Sequence, residues 1–353
     1  MKPGSADGGL RLRISDPTFE PDVAAAMERL PGAGIFHSAA WVRALHTAYG
    51  FRTRIFLAQD ASGSIGAAAP VTPVYNWPLG ARAVSQPFSD ECPLLGRDAR
   101  ARDFLYHAIG MHAGSRGWRQ WELRGAGAPE GVAPATRFHG HIFALNPADC
   151  DGPSRAAPSV HRAVRQAIRA EVEIEITNDE RALRRFHELY CRTRLRHGSP
   201  PAPWSFFAAL GRDLISAGRG VIVLATHGGE DLAGAVFLIH GRRAHYKYGA
   251  SNPSRHHLRP NHLVMARAAA WCARQGCTDL ELGRTSIGAE GLRRYKLSWG
   301  ATEYPITYTR YQPRTGRHIS APDRAGAWQA HVLRRLPLPL LRKIGAVLHP
   351  RFT

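Results

Sequence analysis

The sequence predicts an α/β protein built from two similar units, each a mixed β-sheet flanked by helices. Three observations predict it: two hairpin patterns of one plan, two helices that stop at glycine before a strand, and nearly constant spacing between the matched features. Ile55 to Val71 (IFLAQDASGSIGAAAPV) and Val221 to Ile239 (VIVLATHGGEDLAGAVFLI) each read as an apolar strand, a Gly-rich turn and a second apolar strand. Gly66 and Gly234, just past the turns, lie 168 residues apart. Further on, SRGWRQWELRG and RQGCTDLELGR each carry a helix that ends at glycine, then a strand with Glu-Leu, and their glycines Gly117 and Gly276 lie 159 apart. Shared order and near-shared spacing indicate duplication. With 353 residues and 44% hydrophobic content the chain is long enough for two cored domains.

Between the halves, NPADCDGPSRAAPS reads as a linker, which places the boundary near residues 145 to 158. The expected division is 1–150, 151–311 and a basic tail, 312–353. After the linker, SVHRAVRQAIRAEVEIEI predicts a helix with Val160, Val164 and Ile168 as its apolar stripe and Arg162, Arg165 and Arg169 beside it. Four arginines and no acid occur from Ser154 to Ala170, a composition that suits a phosphate backbone or a solvated face. The tail from Gln312 holds eight basic residues and one acid, and Pro337 and Pro339 interrupt any long helix in it. It either docks on the protein or lies on a membrane surface as a peripheral contact.

The charge balance is strongly basic, with 47 Lys and Arg against 28 Asp and Glu and a net charge of +19. Such a surplus fits a polyanionic partner, or arginines on a solvated face. No run approaches the roughly 18 apolar residues that span a bilayer, and the first residues lack the apolar core of a signal peptide, so the expected location is cytoplasmic. Five cysteines at irregular spacing without CxxC indicate reduced structural thiols, not a disulfide framework or zinc site. No GxSxG, HExxH or GxxxxGK[ST] occurs, which removes the usual support for hydrolase, metalloprotease and P-loop chemistry. Of 18 histidines, the adjacent His256 and His257 are poorly placed to share a metal, so none is expected.

The motifs YKYGAS, RPNHL, LELGRTS and GLRRYKLSWGA, with FHSAAWVRAL and QPFSDECPLL as weaker echoes in the first half, resemble the FemAB-like branch of the GNAT acyltransferases. The resemblance spans roughly residues 30 to 311 and implies two tandem GNAT-like domains. It implies transfer of an acyl group to an amine or hydroxyl; the best understood relatives move amino acids from aminoacyl-tRNA onto peptidoglycan precursors. The QxxGxG/A signature of acyl-CoA-using GNAT enzymes is missing. The expected donor is therefore aminoacyl-tRNA, with no other cofactor, and the acceptor a small molecule or cell-envelope precursor. An acyl-CoA-dependent N-acetyltransferase and a non-catalytic RNA-binding protein of the same fold remain alternatives.

An activated ester needs chiefly an aligned nucleophile and a stabilised oxyanion. Lys296, one of only four lysines, stands where the family motif has a lysine and is the residue expected to stabilise that oxyanion; a surface ion pair with Glu290 is the alternative. Arg284 joins it as a catalytic candidate. Arg293 is expected to hold phosphate or carboxylate groups, and Tyr248, Tyr295 and Trp299 to wall the acceptor site or fill the core. Asn261 and His262 of RPNHL, the latter as general base or capping residue, and Asp90 of QPFSD, as an amine ligand or turn residue, complete the substrate candidates. Arg162, Arg165 and Arg169 are the expected tRNA contacts.

Overall fold

The computed structural model describes residues 9–76, 80–149, 152–320, 331 and 333–351. Two compact units are present: among the described residues the first takes 9–137 and 306–320, and the second 138–305 and 331–351. No described helix is long and apolar enough to cross a membrane.

The first unit opens with β1 (Arg11–Ser15), α1 (Pro21–Glu28) and α2 (Ala39–Tyr49). The Ser38 side chain accepts the Trp41 N–H to start α2, and Gly50, at φ 69°, ends it. β2 (Arg54–Gln59) and β3 (Ile65–Asn76) form the first predicted hairpin. Gly66 is its extra, bulged residue, and a Cβ there would meet the Ala101 methyl at 3.1 Å. β4 (Gly80–Val84) pairs with β3, and the short β5 (Leu95–Gly96) with its other end. α3 (Ala99–Ser115), capped by Asp98, then crosses to β6 (Gln120–Arg124), which runs parallel to β4. Leu105, Ile109 and Ala113 of α3 pack on Phe56, Ala69, Trp121 and Leu123 of the sheet.

The second unit repeats this plan. β7 (Thr136–Ala144), from Phe138 on, belongs to it, followed by α4 (Pro158–Arg169), β8 (Glu173–Thr177), α5 (Glu180–His197) and α6 (Trp204–Leu210). β9 (Gly220–His227) and β10 (Glu230–His240) are the second predicted hairpin, and β11 (Arg243–Ser251) pairs with β10. α7 (Pro260–Arg274) crosses to β12 (Asp279–Glu281), parallel to β11. Gly117 and Gly276, at φ 66° and 85°, stand just after the two crossover helices, as the duplication predicts. β13 (Thr285–Ser286), α8 (Glu290–Ser298) and β14 (Thr302–Gln312) follow. From Ile306, β14 belongs to the first unit, where β15 (Arg317–His318) pairs with it. α9 (Leu338–Leu348) returns to the second unit.

The units divide at Arg137/Phe138, whereas composition places a linker at 145–158. The reason is strand pairing. β7 pairs antiparallel with β12, and Tyr308 to Tyr311 of β14 pair antiparallel with β6. Each unit's last parallel strand is thus covered by a strand from the other half of the sequence. The stripe expected on α4 also differs: Val160, Ala163, Val164 and Ala167 are buried, and Ile168 is 40% exposed.

The β6–β14 pairing is sealed by a buried ion cluster. Glu122, 1% exposed, accepts from Arg124 Nε at 2.8 Å and from Arg310 Nε at 2.5 Å. Arg124 also donates to the carbonyls of Gln86 and Ser89 and lies over the Tyr308 ring. Burial opposes ionisation of Glu122, but the two guanidinium groups outweigh it and hold the carboxyl at about 2. A carboxyl depressed when folded stabilises above its ordinary value of 4.5, and that contribution is lost as pH falls through about 2. Glu122→Ala should destabilise the protein by about 3–5 kcal/mol at neutral pH, because it strands two cations, and should remove the acid loss below pH 4.5. Urea denaturation from pH 7 to pH 3 measures both.

Candidate active site

In the second unit β11 and β12 pair only between Arg243–His245 and Asp279–Glu281, after which they part. β11 continues to Ser251 with a bulge at Lys247, and the chain after β12 turns away at Gly283, φ 66°. The carboxyl ends of parting parallel strands form a crevice lined by the loops that leave them, the usual ligand position in α/β sheets. Lys296 of α8 reaches this point. It is 4% exposed, and its Nζ donates to the carbonyl oxygens of Gly283 at 2.8 Å and Arg284 at 3.2 Å. Two carbonyls close together in a nearly closed space suit a compact ammonium better than a planar guanidinium. Lys296 is thus a buried residue and not a surface one, and Glu290 faces Arg293 at 3.5 Å.

Beside Lys296 stands a polar cluster that sequence reasoning missed. His139 and His141 alternate on β7 and so share a face of the strand. The Glu303 carboxylate of β14 meets His139 Nδ1 at 3.2 Å, His141 Nε2 at 3.2 Å, and Arg293 Nε and Nη2 at 2.7 and 3.0 Å. The Arg293 hydrogen bonds, above all, hold the Glu303 carboxyl below its ordinary range. The imidazole of His141 is wholly buried, and burial and then the Lys296 charge push its pKa down against the pull of Glu303. The HGH alternation in an apolar strand was the available signal; its partner Glu303 lies 162 residues from His141 in sequence and no local pattern links them.

The other expected site residues separate into several places. Arg284 lies with its guanidinium 4.6 Å from the Phe138 ring centroid, while Arg293 holds an internal carboxylate rather than an exposed anion position. Trp299 is a core residue, 0% exposed and stacked on Phe143, and Tyr295 packs against the same core, so neither walls an open site. His262, in the first turn of α7 after Asn261, stacks on Trp299 and meets Tyr295 edge-on. Burial, then Arg259, lower its pKa to about 4, so it is neutral at physiological pH. Tyr248 belongs to another cluster, with Tyr190, Phe206 and Phe207. Arg162, Arg165 and Arg169 are all exposed on α4. Asp90 is half-buried in the first unit, where its own carbonyl accepts the Tyr308 hydroxyl at 2.7 Å. The four described cysteines, 92, 191, 272 and 277, are buried and free. Among the described residues no three metal-ligating side chains gather into a possible metal site.

At the start of α7, Asn252–Arg259 forms a turn with no glycine. Three of its amides bond within the protein: Ser254 N–H to Asn252 Oδ1, Arg255 N–H to the Asn252 carbonyl and Arg259 N–H to the His256 carbonyl. Pro253 and Pro260 have no N–H to offer. Arg259, at φ 58°, occupies the left-handed position where glycine would be easiest.

A hairpin, a bulged third strand, a crossover helix and a parting parallel strand define the GNAT acyltransferase fold, and residues 154–304 match the acetyltransferase (GNAT) domain family. Across most of the chain the fold is similar to that of several solved structures. A crystal structure of FemX shares it at a TM-score of 0.63 and 14% identity, over 81% of this chain and 95% of that one. The L-PGS structure from Bacillus licheniformis is similar at 0.51 and 12%, over 91% and 98%. A tandem GNAT protein from the clavulanic acid biosynthesis pathway is similar at 0.51 and 13%, over 86% and 99%. No curated protein matches the sequence.

His262 offers a test of this packing. Its folded pKa, about 4, lies below the ordinary 6.5, so its contribution to stability is complete above pH 6.5 and is lost as pH falls to about 4. The loss amounts to about 3 kcal/mol. His262→Asn should flatten the stability profile over that window, read from urea midpoints at pH 7.5 and 4.5.

Proposed function

We propose that this protein is an aminoacyltransferase that takes an aminoacyl group from aminoacyl-tRNA and places it on an amine or hydroxyl of a small-molecule or envelope-precursor acceptor. The observation that carries the donor assignment is the turn before α7. In an acyl-CoA enzyme of this fold the corresponding glycine-rich turn offers free amides to a pyrophosphate; here the named amides are bonded internally and two prolines contribute none. The positive charge lies on side chains instead. Exposed Arg162, Arg165 and Arg169 line α4, and Gln166 of the same helix donates to the His257 carbonyl at 2.8 Å, tying this basic face to the turn that carries Arg255, His257 and Arg259. A polynucleotide backbone suits such a dispersed basic surface.

Lys296 is the proposed oxyanion partner. Two carbonyls fix its ammonium beside the opening between β11 and β12, so the charge needs little reorganisation as the tetrahedral oxyanion develops. The incoming amine adds to the ester carbonyl and loses a proton, and the tRNA ribose oxygen leaves with the electron pair of the broken ester bond. His141 is buried close enough to Lys296 for its charge, after burial, to push the imidazole pKa down.

Filter binding of bulk tRNA across salt tests the donor. Affinity should fall steeply with salt, and the triple change Arg162→Gln, Arg165→Gln, Arg169→Gln should reduce the log–log slope by about 2 to 3. Absence of tRNA binding at low salt, with acyl-CoA binding in its place, would reverse the donor assignment. Retained binding with no transfer from charged tRNA would mark an RNA-binding protein without catalysis.

In single-turnover transfer from a charged tRNA pool, Lys296→Ala and Lys296→Arg should each lose about 10²- to 10³-fold in rate. Their tRNA affinity should change little. Full activity in the arginine variant would reduce Lys296 to a generic charge.

A further inference from the structure

α9 docks on the second unit by one face and leaves another outward. Leu341 and Gly345 are buried; a Cβ on Gly345 would come within 2.4 Å of the Pro201 carbonyl oxygen, so the backbones touch. Arg342, on the same side, pairs with Glu188 of α5. Leu340, Ile344 and Val347 follow at i, i+4 and i+7 and form a second apolar stripe, about a quarter-turn round the helix from the docked one. Leu340 is 45% exposed, Val347 is 62% exposed and Ile344 is half-buried. Exposed cations border the stripe: Lys343 lies beside it, and Arg334 and Arg335 precede the helix. Lys343 and Ala346 also form one wall of a groove of about 460 Å³ that Arg184 and Trp204 share. No acidic residue occurs in the sequence after Asp323.

A folded helix already anchored by Leu341 and Gly345 gains nothing internal from exposing leucine and valine next to three cations. An RNA would use the cations and leave the aliphatic stripe in water. An anionic lipid surface uses both: the headgroups attract the cations, and the stripe enters the interface, where basic residues flank buried aliphatic ones. We infer that α9 is a membrane-surface anchor, with Leu340, Ile344 and Val347 inserting among the headgroups of an anionic bilayer and Arg334, Arg335 and Lys343 binding their phosphates. This inference is independent of the acyl donor and of Lys296.

Flotation of the full chain with vesicles tests it, using phosphatidylcholine alone and a 3:1 mixture of phosphatidylcholine and phosphatidylglycerol. The protein should float with the anionic vesicles at physiological salt and not with the neutral ones. Leu340→Ser with Val347→Ser should weaken binding at least about tenfold. Arg334→Gln, Arg335→Gln and Lys343→Gln together should weaken it about 100-fold. All five positions are exposed, so the thermal transition should stay in place, and tRNA affinity should not follow vesicle affinity. No flotation with anionic vesicles would overturn the anchor. Undiminished flotation of the Leu340/Val347 variant would do the same and leave nonspecific charge attraction. Loss of tRNA rather than vesicle binding in the cation variant would assign the face to RNA. A concentration-dependent dimer in sedimentation equilibrium that Val347→Ser dissolves, without vesicle binding, would assign it to a second copy.

Discussion

A parallel strand pair made by a helical crossover leaves its last strand with an open edge, and backbone N–H and C=O groups at that edge need partners. Both units meet this requirement by the same device. β6 ends the crossover of the first unit and takes residues of β14; β12 ends that of the second and takes β7. The covering strand in each comes from the other half of the sequence, so neither half closes its sheet with its own residues alone. The compact units divide where they do for this reason, and the candidate site owes its composition to it: His139 and His141 reach Glu303, and His141 comes under the Lys296 charge, because β7 belongs to the second unit.

Burial of charge follows from the same strands in two different ways. Glu122 is excluded from water by β14 and compensated by two guanidinium groups, one of which extends to the carbonyls of the loop at Gln86 and Ser89. This cluster is an internal brace: every charge in it faces another charge or a backbone dipole. Lys296 is buried with backbone carbonyls as its named partners, at the point where two parallel strands part. The Glu122 cluster braces a pair of strands inside the sheet, whereas Lys296 stands where the loops leave two parting strands, which makes it the candidate centre of a site. The near-exclusive use of arginine elsewhere fits as well, since guanidinium groups serve the exposed and bidentate positions.

Much of the fold is legible from local patterns. Hairpins announce themselves by apolar runs around Gly-rich turns, and the crossover helices by their terminal glycines, because such signals depend on backbone conformations set by neighbours in the chain. On the candidate site the sequence is informative about Lys296, an unusual residue within a long motif, and silent about Glu303, an ordinary acid in a strand. Trp299 and Tyr295 show the limit of residue type: an aromatic beside a candidate site lysine is attractive as a pocket wall, yet α8 packs both rings against the core. Ile168 shows the limit of periodicity, since Ala163 and Ala167 take the core side of α4 and leave the larger residue outside.

By itself, the sequence determined the duplicated α/β plan, the strongly basic balance, the absence of a glycine-rich phosphate turn and the singular position of Lys296. Each of these is a property of residue type or short spacing and survives without knowledge of what lies far along the chain. Tertiary structure alone decided which strands complete which sheet, that Arg293 faces Glu303, that two histidines of β7 gather on the same carboxylate, and that α9 shows a second apolar stripe after docking by its first. Edge pairing and the choice of a helix's docked face are settled by residues more than a hundred positions apart, and charge compensation by which strands lie side by side, so no local preference carries that information.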